Sequence, residues 1–242
     1  MHPTVCLVMK NTVPLPCDPQ QLRRCLQTYA DAHLGPAWNV GAEVRVGAPA
    51  PGDWPILFLD DADQAGVLGY HDDDQGPRGF VFVRTAGQDG EPSSVVASHE
   101  LAELLVDPGA NLAALSPRGR WVALEACDPV QGSTFDCEGL PVCDFAYPAW
   151  FGQGGGAGGF DHMGQVPAAW QVAPGGYCLI DDGKGWSAIY GTLATAGAYY
   201  RRDKRLRRVT RRRRHLPPPP QVVGLKGKGA ASVSCGEPLV LA

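Results

Sequence analysis

Ser98-His99-Glu100-Leu101-Ala102-Glu103 is the stretch on which the reading of this chain turns. On a helix, positions i and i+4 lie one above the other on the same face, so His99 and Glu103 could grip a single ion. Glu100 then points to the neighbouring side, where a water activated by that ion would need a base. The flanks support a helix. Ser93, Ser94 and Ser98 are candidate N-caps ahead of an apolar run of Val95, Val96, Leu101, Leu104, Leu105 and Val106, and Pro108-Gly109 supplies a stop. The expected helix runs from about Ser94 to Asp107 and is buried.

The string is the zinc hydrolase pattern HExxH with glutamate in place of the second histidine, an HExxE motif. A carboxylate is an acceptable zinc ligand, although a less diagnostic one. A structural His/Glu network inside the core is the competing reading, because a buried ionised group needs a partner of some kind. A third ligand is expected well downstream, and Trp121-Val122-Ala123-Leu124-Glu125-Ala126-Cys127-Asp128-Pro129 offers two, Glu125 and Asp128. One would complete a three-ligand site with a fourth position open, and the other would hold His99 by its second ring nitrogen. The bland alternative is that Glu125 ends a strand and Asp128 caps the turn before Pro129.

The segments Ser98 to Glu103 with Asp107-Pro108, and Glu125-Ala126-Cys127-Asp128, resemble those of a family of uncharacterised proteins of tailed phages and prophages. More distantly they resemble the plant phosphate-induced, EXORDIUM-like proteins. Further matches to the phage group are Asp60-Asp61-Ala62-Asp63, Leu68-Gly69-Tyr70-His71-Asp72, Asp144-Phe145 with Pro148-Ala149-Trp150-Phe151, and Pro174-Gly175-Gly176-Tyr177. The resemblance covers roughly residues 5 to 180. It implies a zincin-like fold and a metal site, and it supplies no substrate.

Composition divides the chain by charge. Residues 1 to 200 hold nine Lys/Arg against 23 Asp/Glu, a net of −14, whereas residues 201 to 214 hold ten against one, a net of +9. This predicts a main domain over 1–200, an Arg-rich and Pro-rich linker over 201–220, and a short C-terminal segment over 221–242. With 242 residues, 44% of them apolar, the main domain can bury a sizeable core. Neither a signal peptide nor an apolar stretch of about 20 residues is present, so the expected location is the host cytoplasm or a virion, with no membrane. Eight cysteines form no CxxC pair and read as buried thiols rather than disulfides. Cys127, Cys137 and Cys143 sit near the motif and could offer a soft ligand.

Element by element, Val5 to Met9 reads as a strand. Asp18 to Leu34 reads as a helix capped by Asp18 and stopped by Gly35-Pro36. Ala42 to Val46, Trp54 to Asp60 and Gly79 to Val83 read as strands before the motif helix. After Pro129 helical periodicity fades into short strands and glycine-rich loops such as Gly152 to Gly159. The fold class is therefore α+β: a zincin-like mixed sheet packed on two helices, a loop-rich, Gly-rich second half over the cleft, and an extended basic tail. His71 lines the cleft or, more simply, pairs with a neighbouring aspartate in a turn. Tyr70 is a candidate oxyanion donor or an ordinary strand tyrosine, and His162 a distant candidate ligand. Asp72 to Asp74 lack the D-x-D-x-D-G ladder of a calcium loop.

Two function classes follow. One is a zinc-dependent hydrolase, foremost a metallopeptidase of phage or prophage origin, with His99, Glu103 and Glu125 or Asp128 as metal ligands and Glu100 as catalytic base on a peptide substrate. The other is a phage virion structural or assembly protein on the same scaffold. Its tail, Arg201 to Arg214, would contact nucleic acid without sequence preference, an acidic partner or other virion proteins, with Pro217 to Pro220 as a stiff spacer.

Overall fold

The computed structural model describes residues 2–63, 67–154 and 158–191. The linker and C-terminal segment expected after residue 200 lie outside these residues. So does the end of the main domain, after residue 191. Strands β1 (Thr4–Met9), β2 (Glu43–Val46), β3 (Trp54–Leu59), β4 (Gly69–Asp72) and β5 (Arg78–Phe82) form one sheet in the order β2-β1-β3-β5-β4. The first four in that order run parallel, and β4 lies antiparallel to β5 at the edge. Val5, Leu7, Ile56, Phe58 and Val81 share one face of this sheet and are fully buried, whereas Val8, Leu57 and Phe80 on the opposite face are half-buried.

Helix α1 (Pro19–Thr28) starts as expected, with Asp18 Oδ2 accepting a hydrogen bond from the Gln21 amide and Pro19 in the first turn. It does not stop at Gly35-Pro36. A π-helical stretch, Tyr29–Leu34, carries it into α2 (Gly35–Trp38), which ends at Asn39 in the left-handed region, φ 54°. A Cβ on Gly35 would meet the Ala30 and Val40 carbonyl oxygens at 2.8 and 2.9 Å. The glycine therefore serves close backbone approach, and Pro36 opens a new helical turn instead of breaking the old one.

After β5 come α3 (Val83–Gln88) and the motif helix α4 (Ser93–Val106). Thirteen of the fourteen α4 residues are buried, as in a helix enclosed on all sides. The expected serine caps are not used. Pro92 occupies the cap position without a side-chain bond, while Ser94 Oγ donates to the Pro141 carbonyl at 2.7 Å and Ser98 Oγ accepts from the Cys143 amide at 2.8 Å. Both serines tie α4 to the hairpin of β8 (Thr134–Cys137) and β9 (Leu140–Cys143).

The remaining strands, β6 (Ala113–Leu115), β7 (Trp121–Ala123), β10 (Tyr177–Asp181) and β11 (Trp186–Tyr190), form an antiparallel sheet in the order β11-β10-β7-β6. Among the described residues, helical structure after α4 is limited to the 3₁₀ turns Asp128–Val130 and Pro148–Phe151. The molecule is thus mixed α/β with several sheets and few helices. Its second half is rich in loops yet packed, with Phe145 and Trp150 fully buried.

Candidate functional site

Four elements converge on one buried centre. Helix α4 supplies His99, Glu100 and Glu103, with Glu100 and Glu103 2% exposed. Strand β4 alternates, so that Gly69 and His71 face inward while Tyr70 and Asp72 face outward. The segment leaving β7 brings Glu125, Cys127 and Asp128, and the end of β9 brings Cys143.

His99 Nε2 lies 3.1 Å from Glu103 Oε1 and 3.4 Å from Asp128 Oδ1. Cys143 Sγ is 3.6 Å from the opposite nitrogen, Nδ1. One N–H on Nε2 cannot serve two carboxylate oxygens, and Glu103 Oε1 and Asp128 Oδ1 are both buried without a well-directed hydrogen bond. His71 Nδ1 lies 3.8 Å from Glu100 Oε2 and 3.7 Å from Glu103 Oε2. The His71 Nε2 atom is 3.1 Å from the Asp107 carbonyl oxygen and 3.9 Å from Glu125 Oε2. The Asp107 carboxylate accepts from the Asn111 and Leu112 amides and holds the end of α4.

Between its two histidines this centre crowds carboxyl groups together. Burial raises the pKa of Glu103 well above the usual carboxylate range, the charges of Asp128 and Glu125 add to the rise, and His99 opposes it. Asp128 is raised by burial too, against the pull of His99 and a hydrogen bond from Tyr177. For His99, burial disfavours the charged ring, but Glu103, Asp128 and Cys143 outweigh it and lift the pKa well above the ordinary value. A group of carboxylates so disposed is stabilised by a cation.

Three sets of side chains bring ligand atoms close enough together to hold a metal ion: His99 with Glu103 and Asp128, His71 with Glu100 and Glu103, and His99 with Cys127 and Cys143. The donors of the first set suit zinc. With ligands about 2.1 Å from an ion, neighbours in a tetrahedral site are about 3.4 Å apart, which matches the separations around His99. A cleft of about 30 Å³, room for about one water, adjoins His99 and Glu100 and is walled by Leu68, Gly69, Val96, Gln131 and Tyr177.

Of the residues expected at the site, His99, Glu103 and Asp128 come together, with Glu100 at the cleft. Glu125 Oε2 lies on the His71 side, 3.9 Å from its Nε2, and Cys143 Sγ faces the second ring nitrogen of His99. His71 is not paired with an aspartate in a turn. Asp72, on the other strand face, binds Arg78 at 2.6 Å, leaving the imidazole to the interior. The Tyr70 hydroxyl bonds Asp63, away from the centre, and the tyrosine that does line the cleft is Tyr177. His162 packs against His33, Phe145 and Tyr147 elsewhere. Cys137 donates to the Cys25 carbonyl and belongs to none of the three sets.

No protein-family model matches the chain, and no curated protein or solved structure matches it. Among the described residues no helix is long and apolar enough to cross a membrane.

Proposed function

We propose that the chain is a zinc-dependent hydrolase, most simply a peptidase of phage or prophage origin, built on a zincin-like scaffold. The observation that carries this reading is the convergence of His99 Nε2, Glu103 Oε1 and Asp128 Oδ1 beside a cleft that Glu100 borders. Two features of the fold support it: a largely parallel sheet, and an antiparallel edge strand, β4, running beside the motif helix. An extended peptide can add to such an edge by main-chain hydrogen bonds.

A bound zinc ion would polarise a carbonyl and lower the pKa of a water. The chain supplies the rest. His99, Glu103 and Asp128 hold the ion, Tyr177 steadies Asp128, and the contact with Cys143 fixes the His99 ring. Glu100 takes the proton of the attacking water and returns it to the leaving amine. Burial of the helix keeps bulk solvent from the carboxylates.

The test is elemental analysis of protein purified without chelator, together with cleavage of itself or of co-expressed proteins. Wild type is expected to carry zinc that His99→Ala loses. Glu100→Gln is expected to keep that ion and lose turnover by roughly 10²- to 10⁴-fold. Metal-free wild type, or equal cleavage patterns in wild type and Glu100→Gln, would reject the reading.

Segregation of charge favours a second reading, a virion structural or assembly protein that uses the same scaffold. Net +9 over residues 201 to 214, beside an acidic body, suits salt-sensitive contact with nucleic acid or an acidic partner.

A further inference from the structure

The hydrolase reading uses one face of Glu103 and leaves His71 without a role. His71 is fully buried. Its Nε2 lies 3.1 Å from the Asp107 carbonyl oxygen. A carbonyl can only accept, so Nε2 carries a proton, and in the neutral ring Nδ1 then bears the lone pair. Glu100 Oε2 and Glu103 Oε2 lie 3.8 and 3.7 Å from that nitrogen, and Nδ1 is buried without a hydrogen bond. A lone pair facing two carboxylate oxygens is repulsive unless something positive lies between them. A proton between them, whether on the ring or on a carboxyl group, would draw the atoms to about 2.7–2.9 Å, the length of a short hydrogen bond. The observed separations are a full ångström longer, close to the edge of a metal coordination polyhedron. An imidazole that donates one nitrogen to a backbone carbonyl and presents the other to acidic oxygens is the usual posture of a metal-bound histidine.

We infer that the centre binds two metal ions, with the second held by His71 Nδ1, Glu100 Oε2 and Glu103 Oε2, and with Glu103 as the carboxylate bridge. Its two oxygens already face different ways, Oε1 toward His99 and Oε2 toward His71. A carboxylate so shared spans ions about 3.5–4 Å apart, the spacing of two-metal hydrolases. Glu100 is similarly divided. Its Oε2 serves the second ion, while Oε1 lies at the Gly69 wall of the cleft, where it remains placed for proton transfer. This rests on the hydrolase reading for the first ion, and the two fail separately.

The experiment is stripping of the full chain with chelator, back-titration with Zn²⁺ followed by elemental analysis, and a parallel titration with Mn²⁺ read by electron paramagnetic resonance. Wild type is expected to bind two Zn²⁺ per chain, His71→Gln one, and the two-Mn²⁺ form to show spin coupling through the Glu103 bridge. One equivalent in wild type, lost in His99→Ala, would overturn the second site and leave the first. Two equivalents retained in folded His71→Gln would put the second ion elsewhere, at Cys127 and Cys143 for example, and overturn the assignment. None in wild type rejects both. Should His71→Gln fail to fold, wild-type coupling still decides, since two uncoupled Mn²⁺ signals are incompatible with a shared carboxylate.

Discussion

At the scale of single residues the centre depends on what is small as much as on what is charged. Gly69 faces α4 from β4, and a Cβ there would lie 2.6 Å from Val96 Cγ1, 2.7 Å from the Phe80 carbonyl oxygen and 2.8 Å from Glu100 Oε1. None of these can yield cheaply, because one is backbone and another is a buried carboxylate. Gly69→Ala is therefore expected to cost about 1–3 kcal/mol, read as a lower urea midpoint, by pushing β4 and Glu100 apart. An unchanged midpoint would mean that strand and helix are not in the close contact described. His71, two residues on, shows why part of the site escaped the sequence. The four residues Gly69 to Asp72 are too few for a period of two to register, and Asp72 to Asp74 make a turn pairing the simplest expectation. Only the inward alternation of Gly69 and His71, with Tyr70 and Asp72 outward, reveals which face the imidazole takes. His99, Glu100 and Glu103 were legible because helical spacing alone puts them on adjoining faces.

At the scale of elements, α4 is the joint between the two halves, and its serines hold the joint rather than the helix end. Ser98 Oγ accepts from the buried Cys143 amide at 2.8 Å while donating to the Val95 carbonyl at 3.0 Å. Ser98→Ala should leave that amide without a partner and cost about 1–3 kcal/mol in denaturant unfolding, whereas a cap lost at an exposed helix start costs typically about 1 kcal/mol and would leave β9 undisturbed. Amide exchange at Cys143 separates the two, since protection there should fall if the serine ties α4 to β9. The strands β1, β3 and β5 and the helix α4 were readable because each carries an apolar run whose length fits its type. The extension of α1 through Gly35-Pro36 was not, since a π-helical stretch reverses the meaning of both breakers. The β8-β9 hairpin and the sheet of β6, β7, β10 and β11 were also obscure. Three- to five-residue strands carry little pattern, and β7 finds its partner β10 more than fifty residues downstream.

At the scale of the whole molecule, buried acids make stability a function of pH, in a direction opposite to ordinary acid unfolding. Asp144 is fully buried, and burial together with the charge of Asp161 raises its pKa to about 8. In the unfolded chain it would titrate near 4, so between about pH 4 and 8 the native state holds a proton that the unfolded state has released. Unfolding then releases protons, and stability falls as pH rises. Glu103, Asp128 and Asp107, also raised by burial, act in the same direction, and so does His99, whose protonated form is favoured in the folded chain and lost as pH climbs. His33 and His162 are lowered by burial and act oppositely, but only as pH falls through the imidazole range, so above about pH 6.5 they drop out. Metal binding would mask the effect, because ligands lose protons to an ion more readily at high pH. The measurement is therefore urea unfolding of chelated protein between pH 6.5 and 8. Wild type should lose stability across that interval, and Asp144→Asn should lose less, by up to about 1.4 kcal/mol per pH unit. Asparagine keeps the Oδ1 that accepts from the Phe145 and Met163 amides, so the variant removes the titration without removing the fold contacts. Parallel slopes in the two proteins would show that Asp144 is already ionised in the folded state, with a positive partner in place of the burial that raises it here.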